Sequence, residues 1–290
     1  MSDNLSKPTP PLFPLPDLSV VALEGLDSNV FAHSQFANDT AGLAVGQWQW
    51  NAWLNPKGRV IALFALIKTG PERILLLLQR ERADGFVAEL RKFVFRRKLT
   101  IETLPELRIQ GAFAAPAKAH GPDIADMESA GLELDFGSAE HPRMLRIGAT
   151  RLALGEDVHM QQRWTRLDMS FGLPWLPESQ YGQWTPQQLS LQRLPAFSVQ
   201  KGCYPGQEIV ARTHFLGKVK RELAHLRTND PVAVGDRVMQ NDIDIGEVVC
   251  VIGPSPWQAL AVVPAEREPG EWRIGGRAVT ELPLLPGLER

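Results

Sequence analysis

Lys201-Gly202-Cys203-Tyr204-Pro205-Gly206-Gln207-Glu208 is the most informative stretch of this chain. Its centre, Tyr204-Pro205-Gly206-Gln207, has the chemistry of a type II turn: proline presets φ at the second position and glycine supplies a positive φ at the third. Gly202 flanks Cys203, so backbone between two glycines can approach a ligand closely and successive amides can face one concavity. Glu208 to Arg212 (EIVAR) alternates, which predicts a strand with the turn at its end. Lys201 and Arg212 bracket the cysteine with positive charge, an arrangement that favours the reactive thiolate. On its own the octapeptide is also ordinary turn chemistry beside a small cysteine.

Charge is concentrated around this loop. Between Lys201 and Arg221 the cations Lys201, Arg212, Lys218, Lys220 and Arg221 meet one acid, Glu208. The whole chain of 290 residues carries 31 Lys and Arg against 33 Asp and Glu, so no global field draws it to nucleic acid or anionic lipid. A second basic run, Arg91, Lys92, Arg96, Arg97 and Lys98, falls at a predicted helix end, where cations complement the dipole; a solvated face is the simple reading and an RNA patch the alternative. Cys203 and Cys250 are too few for a disulfide scaffold, a four-thiolate zinc site or a complete iron–sulfur cluster. Cys250, within Val248-Val249-Cys250-Val251-Ile252, reads as inert core. The histidines show no zinc-ligand spacing, so no metal site is expected.

Working outward, short alternating runs separated by turn residues dominate the chain. Leu18 to Leu23 reads as a strand and Asp27 or Ser28 can cap a short helix. Gln47 to Leu54 alternates, placing Trp48 and Trp50 on one face, and Asn55-Pro56-Lys57-Gly58 turns it into a strand over Arg59 to Lys68. Arg73 to Gln79 follows as a strand. Phe86, Leu90, Phe93 and Val94 then mark a helical face, and Leu99 to Thr103, Arg108 to Phe113 and Pro142 to Ile147 complete the strands. This is an α+β plan of sheets covered by helices on one side. Beyond Phe215, closely spaced short strands predict a small C-terminal β-barrel. The expected division is a flexible Pro-rich arm over 1–16, a discontinuous first α+β domain over 17–50 and 142–214, a second, ferredoxin-like α+β domain over 51–141, and the barrel over 215–290. The longest apolar run, Val60 to Ile67, is far short of the ~20 residues a spanning helix needs. With unpaired cysteines and no export signal, the expected compartment is the cytoplasm.

The octapeptide and its surroundings resemble the folate-binding YgfZ family, relatives of the glycine-cleavage T-protein, an aminomethyltransferase. Upstream, Trp164, Leu167-Asp168, Gly172, Pro174, Gly182-Gln183 and Pro186-Gln187 carry the resemblance; downstream, Val210-Ala211-Arg212, Phe215, Gly217 and Lys220-Arg221 continue it. Gln35, Asp39 and Lys57-Gly58 resemble a less specific N-terminal motif. Ser190 stands where that family usually has asparagine, and Ser170 where it often has an acid. The T-protein segment that bears the catalytic carboxylate reads Gly58-Arg59-Val60-Ile61-Ala62-Leu63 here, and neither Ala62 nor Leu63 can accept a proton.

The resemblance implies a three-domain ring around a folate channel, with the Cys203 loop lining it. It implies tetrahydrofolate or a derivative as cofactor, held by Gly202, Tyr204, Gly206, Gln207, Glu208, Trp164, Gln35 and Asp39. Cys203 would be the reactive thiol, tuned by Lys201 and Arg212. The partners implied are iron–sulfur client enzymes, with an indirect link to tRNA through those that modify it. Two other functions stay open: one-carbon (aminomethyl) transfer using another acid or base such as Asp39 or Asp168, and direct tRNA binding.

Overall fold

The computed structural model describes residues 11–128, 131–149, 155, 157–217 and 219–290. Its first sheet is antiparallel, in the order β3 (Gln47–Leu54), β4 (Val60–Gly70), β5 (Arg73–Gln79), β2 (Leu18–Glu24), β6 (Thr100–Thr103). The run LSVVALE has apolar residues on both pleats because both faces of β2 are covered. Val21 and Leu23 pack under helices α1 (Ser28–Gln35) and α2 (Arg80–Arg91) with Phe31, Ala83, Phe86 and Leu90, while Val20 and Ala22 join the opposite core. That opposite face carries Trp48 and Trp50, which sit against Phe136, Trp48 stacked on it at 5.3 Å between ring centroids.

Phe136 belongs to the neighbouring layer. There the second antiparallel sheet runs β1 (Phe13–Pro14), β7 (Arg108–Ala112), β10 (Met144–Gly148), β9 (Leu132–Asp135), β8 (Ala125–Asp126). Helix α3 (Val158–Ser170) lies on this layer, with Trp164 against Phe13 and Phe136. A closed barrel follows: β11 (Arg221–Thr228), β14 (Trp257–Pro264), β13 (Ile243–Ile252), β12 (Arg237–Gln240), β15 (Trp272–Ile274), β16 (Arg277–Leu282). Its interior is filled by Ala224, Leu226, Val238, Val248, Ala261 and Val263. The alternate residues Leu223, Val249, Leu260 and Val262 face outward into the core shared with both sheets. The α+β architecture with a C-terminal barrel is therefore present.

Several expectations are corrected. Residues 11–16 are not a loose arm: Phe13 and Leu15 are buried, and β1 pairs with β7; residues 1–10 of the expected arm lie outside the described residues. A boundary between 50 and 51 would cut β3, all of which pairs with β4. Residues 18–103 make one sheet because β2 satisfies its backbone groups on both edges, pairing with β5 on one side and β6 on the other. The segment after β16 leaves the barrel: Leu288 is buried, its carbonyl accepts from Trp50 Nε1 at 2.9 Å, and Arg290 lies over the Trp48 ring. Finally, Glu208 to Arg212 is not a strand but lies within helix α4 (Gln207–Leu216). Gly206 ends the turn with φ 81° and its carbonyl accepts from Val210 N, which closes the first helical turn; five alternating residues are too few to separate the two periods.

Candidate functional site

The cysteine loop is built as the turn chemistry demands. Gln207 N donates to Tyr204 O at 3.2 Å across Pro205-Gly206, and Gly206 has the positive φ of a type II turn. The loop is then pinned at three points. Ser198 N donates to Ala37 O at 2.9 Å, and Tyr204 Oη, buried, donates to Ser198 O at 3.0 Å. Lys201 turns inward: its Nζ donates to Phe36 O at 2.6 Å and to His33 O, at the C-terminal end of α1. Those carbonyls are the ones a helix end leaves without an intrahelical donor, so the lysine serves as a cap supplied from another segment.

Burial pushes the Lys201 ammonium down to about 8, with Asp39 opposing that shift, and pushes the Tyr204 phenol up to about 12. His33 is lowered by burial and then by the Lys201 charge, while Asp39, 3.5 Å from its Nδ1, acts the other way. Asp39 Oδ1 also accepts from Ala41 N and Gly42 N. Gln35, at the end of α1, keeps a buried Oε1 without a donor among the described residues. The N-terminal motif residues Gln35 and Asp39 and the loop residue Lys201 thus meet around one helix end, although they are far apart in sequence.

The turn Asn55-Pro56-Lys57-Gly58 docks on the loop. A Cβ on Gly206 would come within 2.6 Å of both Asn55 O and Gly58 Cα, and one on Gly58 within 2.7 Å of Ile209 Cβ. Two glycine turns therefore touch backbone to backbone. Gly202 differs: its φ is 80° but open space surrounds it. Cys203 is exposed, whereas Cys250 is buried in β13 and burial pushes its thiol up to about 12. The expected cationic bracket is rearranged. Lys201 is spent on α1 carbonyls, Arg212 is exposed on α4, Arg221 donates to Ile245 O at 3.0 Å, and Lys218 lies outside the described residues. Glu208 is exposed in the first turn of α4, where an acid complements the helix dipole, and Gln207 begins that helix.

Trp164 lies elsewhere. A cavity of about 450 Å³ opens between the β1–β2 connection, the start of α2 and α3, with walls from Leu15, Leu18, Gln161, Trp164, Asp168 and Trp175. None of residues 201–208 lines it, so the loop and this cavity are separate features. Sequence reasoning pointed to Trp164 but missed Arg143, its charged neighbour. The Arg143 guanidinium is fully buried, 4.4 Å from the Trp164 ring and 2.6 Å from Asp168 Oδ1, and Asp168 Oδ2 accepts from Trp175 Nε1 at 2.9 Å. Burial raises the Asp168 carboxyl against the opposing pull of Arg143. Arg143 sits just before β10 and could have been noticed only as a charge next to an apolar strand.

No protein-family model matches the chain. A tRNA-modifying protein YgfZ from Colwellia psychrerythraea is 30% identical over 246 residues, 77% of this chain and 76% of that relative. The chain belongs to the YgfZ family. A second YgfZ, from Serratia proteamaculans, is 31% identical over 230 residues, 73% of this chain and 69% of its own. Among solved structures, the glycine cleavage system aminomethyltransferase T from Bartonella henselae superposes with a TM-score of 0.75 over 95% of this chain and 85% of that one, at 18% identity. The T-protein fold is thus shared.

Within this YgfZ-family chain, two departures read as local structure. Ser190 is buried with φ 52°, the left-handed region that asparagine also tolerates, and its Oγ accepts from Leu223 N at 2.9 Å, tying the linker to the barrel. Ser170 Oγ donates back to Arg166 O at 3.0 Å on α3. Ala62 and Leu63, the residues that the sequence resemblance sets against the T-protein carboxylate, are both buried in β4.

Proposed function

We propose that this YgfZ-family protein holds tetrahydrofolate or a derivative in the cavity beside Trp164, and presents Cys203 to iron–sulfur enzymes of the cytoplasm, including ones that modify tRNA, during assembly or repair of their clusters. The observation that carries the folate reading is the cavity itself. Its volume of about 450 Å³ is in the range of small-molecule sites, with apolar walls from Leu15, Leu18, Trp164 and Trp175. Trp164 adds its ring to that wall, and its buried Nε1 has no acceptor among the described residues. Arg80, exposed at the rim, donates from Nε to Pro16 O and from Nη2 to Leu18 O, which holds its positive charge beside the cavity for the carboxylates of the folate tail. The residues of the Cys203 loop contribute to the second half of the reading. An exposed thiol on a loop braced by Lys201 and Tyr204 can supply one ligand or one sulfur nucleophile, and a partner must supply the others.

Aminomethyl transfer is the weaker reading, because Asp168 is engaged by Arg143 and Trp175 and Asp39 by two backbone amides. The test has two arms. Calorimetric titration with tetrahydrofolate should show binding that Thr165→Trp, which fills the cavity, abolishes and Cys203→Ala leaves intact. Undiminished binding by Thr165→Trp refutes the cavity assignment. In cells lacking the protein, Cys203→Ala should fail to restore iron–sulfur enzyme activity; full restoration refutes the thiol role.

A further inference from the structure

Helix α2 ends at Arg91, and the chain continues as consecutive tight turns over Lys92-Phe93-Val94-Phe95-Arg96 and then through Arg97 and Lys98 to β6. Val94 faces the helical core, but the two phenylalanines do not. Phe93 is 50% exposed, with its ring edge-on to Trp53 at 6.1 Å. Phe95 is 87% exposed and held at φ 49°, a left-handed conformation that bulky side chains avoid. The Arg96 guanidinium lies 5.4 Å from the Phe95 ring. Among the described residues, no ion pair joins a carboxylate to the side-chain cation of Lys92, Arg96, Arg97 or Lys98. The tip is nonetheless anchored: Lys98 N donates to Asp27 Oδ2 at 2.6 Å, Asp27 N donates to Lys98 O at 3.2 Å, and Arg91 Nε donates to Ile101 O at 2.8 Å.

Helix-dipole complementarity accounts for cations in the last turn of α2 but not for an aromatic ring held out into water beyond it. The ligand that matches both features has flat faces to stack on Phe95 and closely spaced negative charges for the surrounding cations. We infer that this tip is a single-stranded RNA contact, with Phe95 as stacking face and Lys92, Arg96, Arg97 and Lys98 as phosphate partners. A protein partner would be matched by the charges or by the rings, whereas RNA brings both in one repeating unit. The tip also shares a support with the cysteine loop. Trp53, under Phe93, bridges to Phe36, whose carbonyl accepts from Lys201. This inference is independent of the folate reading.

Fluorescence anisotropy with a labelled single-stranded oligouridylate, on the full chain over a range of salt, tests it. The wild type should bind with affinity that falls steeply as salt rises. Phe95→Ala should weaken binding roughly five- to hundredfold, the range for losing one stacked base, with the salt slope unchanged. Lys92→Gln with Arg96→Gln and Arg97→Gln should flatten the slope by roughly 0.7 for each phosphate that is no longer neutralised. Lys92, Phe95 and Arg96 are exposed and Arg97 is half-buried, and tetrahydrofolate binding by the same variants reports that the fold is intact. RNA affinity unchanged by Phe95→Ala, or absent from the wild type at low salt, overturns the inference. So does unchanged RNA binding by variants that lose a protein co-purifying with the wild type, which would make the tip a protein-docking site. Failure of RNA binding with folate binding retained removes this inference alone, and the reverse removes only the folate reading.

Discussion

Gly206→Ala and Gly202→Ala place the same methyl group at nearly the same backbone angle, φ 81° and 80°, but in different surroundings. At Gly202 the added Cβ meets open space, so the cost is the left-handed conformation alone, roughly 1–2 kcal/mol, reduced by roughly 0.4–1 kcal/mol from the stiffer unfolded chain. At Gly206 the same terms apply, and the Cβ also falls 2.6 Å from Asn55 O and Gly58 Cα. These are backbone atoms that cannot rotate away, so an overpacking cost of roughly 1–3 kcal/mol is added. The expected losses are therefore about 1 kcal/mol for Gly202→Ala and about 3 kcal/mol for Gly206→Ala. At roughly 2–4 °C per kcal/mol the two melting temperatures should differ by several degrees. Thermal unfolding followed by circular dichroism, with a urea titration in parallel, measures this directly. Equal destabilisation by the two variants would refute the reasoning that backbone contact between the Lys57-Gly58 turn and the cysteine loop sets the loop's position.

Three further outcomes follow from named contacts. Lys201 has its pKa lowered from 10.5 to about 8, so the unfolded chain binds the proton more tightly and stability should rise as pH increases from about 8 towards 10.5. Denaturant titrations across that range should show a slope that Lys201→Met lacks. Asp168→Asn leaves the Arg143 guanidinium buried without its counter-charge and should cost roughly 3–5 kcal/mol in urea unfolding, with partial recovery in the double variant Arg143→Met/Asp168→Leu. A thiol-specific chromophoric reagent should titrate Cys203 in the native protein and reach Cys250 only on unfolding, because the first is exposed and the second is buried in β13. Two fast thiols in the native state would contradict the packing of the barrel.

Alternation read the sheets well where one strand's two faces meet two cores. Leu18–Glu24 and the Gln47–Leu54/Val60–Gly70 hairpin lie where their patterns place them, and the barrel strands follow their turn residues. It failed where local signals were ambiguous. EIVAR has too few residues to distinguish a strand from the helix Gln207–Leu216, and the helix Val158–Ser170 was masked by its polar, water-facing side. The strand Leu132–Asp135 is too short to stand out and is held in place by Met144–Gly148 beside it. In the site, the glycines and Pro205 of the cysteine turn were legible because each demands a particular backbone angle. The inward direction of Lys201 was not, since a lysine beside a cysteine in sequence says nothing about which carbonyls it will cap.

The sequence alone thus determined the elements whose conformations are set locally: the Pro-Gly turn, the hairpin, the close-spaced barrel strands, and the motif residues that mark the family. Tertiary structure decided what those elements do together. It brought Asp39 and the carbonyls at the end of α1 to Lys201, set Gly58 on Gly206, buried Arg143 against Asp168, and left Phe95 in water. The physical reason is that turn and strand preferences depend on a few neighbouring residues. Burial, charge pairing and backbone contact depend instead on segments that meet only once the sheets and barrel have closed around their shared core.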